Sequence, residues 1–302
     1  MIISKTPYRI SFFGGGTDYP AWYLKEGGEV LSTSIDKYCY ISCRILPPFF
    51  SQKYRIVWSH IETVSSISEI LHPAVREGLK YMGVDNGTGL EIQHQGDLPA
   101  RAGMGSSSSF AVGLINSLTA LQGRMIGRHE LALEAIHLEQ NILNENVGSQ
   151  DQIAAAHGGF NHIRFLPGGE IRVDPIIISP QKMSDLESRL MMFYTGTSRL
   201  SSEVAGDVIA SLERKRDVLT QMRGLVSEAI GVLSSAAPIE DFGRLMHENW
   251  QLKRSLTKRI SNSLIDRIYA KAGEAGAIGG KLLGAGHSGF MIFFVPPEKQ
   301  KD

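Results

Sequence analysis

The stretch PARAGMGSSSSF, Pro99–Phe110, runs directly into the apolar sequence AVGLINSLTAL. Two glycines and four consecutive serines are more than a helix cap needs, since one serine side chain serves as an N-cap. The first N–H groups of a helix have no intrahelical partner and point outward. The helix dipole adds partial positive charge at that end. Glycines let the backbone wrap an anion, and serine hydroxyls add donors or metal ligands. The segment therefore reads as a cradle for polyphosphate, with a glycine turn and serine cap as the plainer alternative. It is not a Walker A loop, because the required Gly-Lys-Ser/Thr is missing.

The chain before this loop is strand-like. YRISFF (8–13), KYCYISCRIL (37–46) and YRIVW (54–58) are rich in aromatic and β-branched residues, and LEIQHQ (90–95) alternates apolar with polar. A short helix is expected near 69–82, a buried helix over 106–122 and an amphipathic one over 131–143. Strands return at 159–165 and 190–195. Helices follow near 201–234, 239–257 and 262–274, before KLL, a glycine turn and the strand FMIFFV (290–295). The pattern is α+β. PGGE and DPII interrupt it between 165 and 185, which suggests two halves, 1–175 and 176–302.

Composition removes several function classes. Lys+Arg and Asp+Glu are equal at 31 each, so neither nucleic acid nor an anionic membrane is the default partner. No apolar run approaches the roughly 18 residues of a membrane span. MIISKTPYRISFF lacks a basic region followed by an apolar one, so no signal peptide is expected and the location is read as cytoplasmic. The two cysteines, Cys39 and Cys43, cannot form a disulfide framework or a complete metal site. Four apart on a strand, they are expected to face one side as reduced thiols. No histidine pair has zinc spacing, and no G-x-S-x-G elbow marks an esterase. The aromatic residues at 8, 12, 13, 19, 22 and 23 are expected to fill a core.

Two further segments complete a pattern: PYRISFFGGGTDYPAWY (7–23) and KLLGAGHSGFMIFF (281–294). In order and spacing, the three resemble the motifs of the GHMP kinases, the family of galactokinase, homoserine, mevalonate and phosphomevalonate kinases. The central motif resembles the family's P-x-x-x-G-L-G-S-S-A pattern as Pro99, Gly103, Met104, Gly105, Ser106, Ser107 and Ser108. The last resembles its G-A-G-x-G-G pattern as Gly284, Ala285, Gly286, His287, Ser288 and Gly289. Galactokinases carry G-E-H-T-D-Y in the first segment, where this chain has Gly14-Gly15-Gly16-Thr17-Asp18-Tyr19. The missing Glu and His speak against galactose as the substrate. The G-G-G-T-D form, with YTGTSR at 194–199 and Leu252-Lys253, looks closest to the D-glycero-D-manno-heptose 7-phosphate kinases, and fucokinase-type domains share much of it.

The resemblance implies a two-domain α+β fold. A ribosomal S5 domain 2-like N-terminal half would carry the phosphate loop, a ferredoxin-like C-terminal half the last motif, and the active site would lie in the cleft between them. It implies ATP and Mg²⁺ as cofactors and a small sugar phosphate as partner; a homodimer is compatible with the sequence. By resemblance Glu139 and Ser107 are metal ligands, with Glu145 a rival. Asp151 is the group that accepts or orients the acceptor hydroxyl's proton. Without the motif, Glu139 reads as an exposed helical carboxylate and Asp151 as a helix cap. Arg9 either stabilises the transferring phosphoryl group or holds Asp151 ionised. Substrate binding is expected from Gly14, Gly15, Gly16, Thr17, Asp18, Tyr19, Gly286 and His287. For an acceptor that already bears phosphate, Ser198, Arg199 and Lys253 are the expected anion site. Arg254, Lys258 and Arg259 are further basic candidates, the last two reading more simply as a solvated face. Two alternatives remain: a kinase of a free sugar such as L-fucose, and a non-catalytic sugar or nucleotide sensor on the same fold.

Overall fold

The computed structural model describes residues 1–84, 87–196 and 201–301. Strands β1 (Ile2–Phe13) and β2 (Gly28–Ile45) form a long antiparallel pair, from Ile2 opposite Cys43 to Phe13 opposite Leu31. The register shifts between Pro7 and Arg9 and again between Ser11 and Phe13. Such irregularities re-aim side chains, and these flank Arg9 and Ser11. Helix α1 (Pro20–Glu26) links the pair, with proline at its first position, where a missing N–H is harmless.

Strands β3 (Tyr54–Val57) and β4 (Ile61–Val64) form a hairpin, followed by α2 (Pro73–Tyr81) and β5 (Leu90–Gly96). Then come α3 (Ser106–Leu121), α4 (Arg128–Ile136) and α5 (Gln150–His157), and the strands β6 (Phe160–Phe165) and β7 (Ile171–Pro175). β2 is long enough to fork the sheet. Its second half pairs with β5 and its first half with β6, giving the order β4-β3-β5-β2-β6-β7 with β1 along the other edge of β2. The β3–β5 pairing is parallel.

The remaining chain supplies α6 (Pro180–Glu187), β8 (Leu190–Tyr194), α7 (Ser201–Ser211), α8 (Arg216–Ser234), α9 (Glu240–Leu256), α10 (Ser263–Glu274), β9 (Gly279–Leu282) and β10 (Phe290–Phe294). The second sheet is antiparallel, in the order β8-β10-β9. No described helix is long and apolar enough to cross a membrane.

The α+β class holds, with differences in detail. β2 begins well before residue 37, because its first half is the sheet centre against β6. The helical run 201–234 is broken into α7 and α8. The run 131–143 begins as α4 and ends in a π-turn, His137–Ile142. Cys39 and Cys43 are both buried, and so are the aromatic residues at 8, 12, 13, 19, 22 and 23. One apolar cluster joins the two sheets: Phe12 and Phe13 of β1 meet the Phe242 ring of α9 edge-on, at 5.4 and 5.1 Å.

Candidate active site

The cleft is built where β1, the loop before α3 and the loop after β9 converge. Gly103 and Gly105 have positive φ (78° and 74°), and Gly105 leads directly into α3. Ser106, Ser107 and Ser108 line the cleft, whereas Ser109 turns inward to donate to the Pro7 carbonyl at 2.9 Å. Met104 is buried in the core, and its carbonyl accepts from the Arg9 backbone N–H at 3.2 Å. Pro99 is exposed and outside the cleft lining.

This loop packs backbone to backbone on the last glycine motif. A Cβ added to Gly284 would lie 2.5 Å from Gly103 Cα, and one on Gly103 would lie 2.5 Å from the Leu283 carbonyl oxygen. Gly284 and Ala285 line the cleft; Gly286 and His287 do not. His287 N–H donates to the Ile260 carbonyl at 2.8 Å, and its own carbonyl accepts from Asn262 Nδ2 at 2.7 Å, so His287 ties the loop to the segment between α9 and α10.

Asp151 is the second residue of α5, in its first turn rather than at its cap, which is Ser149. Arg9 holds it bidentately: Nε donates to Oδ1 at 2.7 Å and Nη2 to Oδ2 at 2.5 Å. Arg9 Nη1 also donates to the Gly103 carbonyl at 2.8 Å. The guanidinium thus fixes the carboxylate against the phosphate loop. Asp18 is 2% exposed and accepts from the N–H groups of Gly16 (2.9 Å) and Gln150 (3.4 Å). Burial raises its pKa and the negative charge of Asp151 adds to the rise, while the Gly16 N–H opposes it. Gly15, Gly16, Asp18 and Tyr19 line the cleft.

Gly14 and Thr17 build the turn beneath it and are not among the residues that line the cleft. Thr17 Oγ1 donates to the carbonyls of Gly14 (2.8 Å) and Glu29 (3.1 Å), which satisfies it internally. Gly148 escaped the sequence reading. A Cβ there would sit 1.9 Å from Asp18 Oδ2, so only glycine admits the carboxylate.

Glu139 projects from the π-turn and is 2% exposed. Its Oε2 accepts from Ser108 Oγ at 2.7 Å and from Gln152 Nε2 at 2.6 Å. Its Oε1 has no hydrogen-bond partner among the described residues. Burial pushes its pKa up to about 7. The Ser108 hydroxyl opposes the rise, as does the Ser107 hydroxyl. An orphaned, buried carboxylate oxygen beside serine hydroxyls fits a hard divalent cation such as Mg²⁺. Glu145 is exposed and adjoins through its backbone N–H, which donates to the Glu139 carbonyl at 2.9 Å.

Two buried lysines line the same cleft. Lys253 Nζ donates to the carbonyls of Leu282 (3.3 Å) and Gly284 (2.5 Å). Burial pushes its pKa down to about 8, helped by the Arg9 charge and opposed by Asp18 and Asp151. Lys281 Nζ donates to the carbonyls of Ser11 (2.8 Å) and Phe12 (2.9 Å), and burial pushes its pKa well down. Lys281 was legible only as a lone lysine in the otherwise uncharged run GGKLLG. Arg254 pairs with Asp266 at 2.8 Å and Arg259 with Asp207 at 3.1 Å, so both are engaged outside the cleft. Ser198 and Arg199 lie outside the described residues.

A helix-end loop for phosphates, an ion-paired carboxylate, a buried acceptor carboxylate and a metal-ready glutamate together suit phosphoryl transfer to a hydroxyl. The chain matches the model of the GHMP kinases N terminal domain over residues 69–159 and that of the GHMP kinases C terminal domain over 235–302, together just over half its length. It is 29% identical over 321 residues to a D-glycero-alpha-D-manno-heptose 7-phosphate kinase of Campylobacter jejuni, covering 99% of this chain and 91% of that protein. It is 28% identical over 320 residues to the bifunctional fucokinase/GDP-fucose pyrophosphorylase of Arabidopsis thaliana, but spans only 30% of that protein. The crystal structure of a D-glycero-D-manno-heptose 1-phosphate kinase from Bacteroides thetaiotaomicron superposes with a TM-score of 0.72 at 23% identity, covering 100% of this chain and 90% of that one. Fold and site thus define an ATP-dependent phosphotransferase. The chain belongs to the GHMP kinase family, within which it is a sugar kinase.

Proposed function

We propose that the protein transfers the γ-phosphate of ATP to the anomeric (C1) hydroxyl of D-glycero-D-manno-heptose 7-phosphate. The product is the 1,7-bisphosphate, used to make nucleotide-activated heptose for capsule, lipopolysaccharide or S-layer glycans. The likeness to the Campylobacter jejuni kinase along almost the whole of both chains supports this acceptor most directly.

In this reading the loop 103–108 and the start of α3 hold the nucleotide phosphates through backbone N–H groups, serine hydroxyls and the helix dipole. Glu139 and Ser107 would hold Mg²⁺, which supplies charge neutralisation on the phosphates. Asp18 accepts hydrogen bonds from sugar hydroxyls, and Gly15 and Gly16 let the ring lie on bare backbone. Asp151 accepts or orients the C1 hydroxyl proton as the new O–P bond forms and ADP leaves. Arg9 keeps Asp151 charged and aimed. Lys253, with Ser198 and Arg199, receives the 7-phosphate. The two halves divide at 175/176, and the reaction runs in the cytoplasm.

The test is ADP release with Mg·ATP across heptose 7-phosphate, free heptose, mannose, fucose and galactose. Turnover confined to the 7-phosphate is expected. The Arabidopsis relative favours a second reading, phosphorylation of free L-fucose or another hexose, which predicts turnover without an acceptor phosphate. Silence with every acceptor would favour the sensor.

A further inference from the structure

Lys281 reaches from the second sheet to the first, and nothing in the phosphoryl-transfer machinery described above uses it. It is 2% exposed, and Lys253 is 7% exposed. Every hydrogen bond that the two ammonium groups make among the described residues goes to a backbone carbonyl. Neither has a carboxylate within 4.0 Å among those residues. An ammonium carries three N–H donors, so two carbonyl partners leave one donor on each, in side chains that line the cleft.

The charges around them do not balance. Arg9 and Asp151 neutralise each other in their bidentate pair. Among the described residues that line the cleft, Asp18 remains as the one carboxylate against two ammonium groups and the Arg101 guanidinium. A buried cation without a counter-ion is costly, and the cost falls when an anion arrives. Beside Lys281, the Ser11 hydroxyl is buried without a hydrogen-bond partner among the described residues, and a Cβ added to the bare face of Gly15 would lie 3.7 Å from it. That adds a neutral donor to two charged ones lining the same cleft, and the three suit an oxyanion with several acceptor oxygens.

We propose that Lys281, Lys253 and the Ser11 hydroxyl form a seat for a phosphate monoester dianion at the junction of the two halves. The ligand is either the terminal phosphate of the donor or the phosphate already on the acceptor. The seat deepens the kinase reading and rests on it only for the name of the ligand.

The experiment titrates wild type, Lys281→Met and Lys253→Met with inorganic phosphate, Mg·ADP, Mg·ATP, heptose 7-phosphate and free heptose, by calorimetry without turnover. Each variant should weaken inorganic phosphate by roughly tenfold or more, the loss of one charge-assisted hydrogen bond. If Mg·ATP weakens and Mg·ADP does not, the seat takes the donor phosphate. If heptose 7-phosphate weakens and free heptose does not, it takes the acceptor phosphate. Phosphate affinity within about twofold of wild type in both folded variants would overturn the seat and leave the lysines as props for β1 and the glycine loop.

Because Lys281→Met strips the donor from two buried carbonyls, it can fail to fold. Lys253→Met then decides alone: inorganic phosphate weakened by roughly tenfold supports the seat, and affinity within about twofold of wild type overturns it. ADP release measured in parallel separates the two claims, since phosphate binding without turnover on any acceptor sinks the kinase reading and keeps the seat.

Discussion

Arg9 directs three N–H groups at two partners, Asp151 and the Gly103 carbonyl, and this fixes what each can do. A guanidinium so engaged positions the carboxylate more than it reaches for a phosphoryl group. Asp151→Asn keeps the shape of the side chain and removes its proton affinity. It should lower kcat by roughly 10²–10⁴, the range for a general base, while leaving the calorimetric affinity for Mg·ATP near wild type; near-normal kcat would end the assignment. Lys253 makes a pH prediction. Below about 8 it is charged folded and unfolded, and from about 8 to its ordinary 10.5 it is neutral folded and charged unfolded. The unfolded chain then binds the extra proton, so this residue's contribution to stability rises with pH across that window. Chemical unfolding at pH 7 and 9 should show a larger gain for wild type than for Lys253→Met. At this scale Arg9, Asp18 and Asp151 were legible, because their motifs are local. Gly148 and Lys281 were not, since the Asp18 carboxylate and the β1 carbonyls that explain them lie more than a hundred residues away in sequence.

At the scale of elements, the site depends on two glycine loops that touch. Gly284 has a φ of 70° and lies against Gly103 Cα, so Gly284→Ala must push the phosphate loop aside. Overpacking of this kind costs about 1–3 kcal/mol, and nucleotide affinity should fall by roughly tenfold or more. Equilibrium binding of a fluorescent ATP analogue checks this, and unchanged affinity would mean that the loop gives way freely. Both glycine motifs were readable as loops, but their contact was not, because sequence order says nothing about which loops meet. The π-turn that presents Glu139 was hidden for another reason. LALEAIHLEQNIL keeps a 3.6-residue apolar period through it, and the extra residue in the turn shows only once Glu139 is bonded to Ser108 and Gln152. The fork in β2 was missed likewise, since GEVLSTSID over 28–36 lacks clean alternation and its pairing with β6 joins strands more than a hundred residues apart.

Across the whole molecule, the α+β pattern could not show that one core runs through both sheets. Phe242 of α9 is fully buried against Phe12 and Phe13 of β1. Phe242→Ala should cost about 3–5 kcal/mol and lower a single unfolding transition, followed by circular dichroism and tryptophan fluorescence in urea. Two separated transitions would show that the halves fold independently. The same junction holds the cleft, so chemistry and cooperativity share one seam. The central claim, phosphorylation of the anomeric oxygen of heptose 7-phosphate, is tested most directly by ³¹P NMR of the product formed with Mg·ATP. The predicted result is a second phosphomonoester signal coupled to the anomeric proton. A phosphate on any other carbon, or no new signal beside ADP, would contradict it.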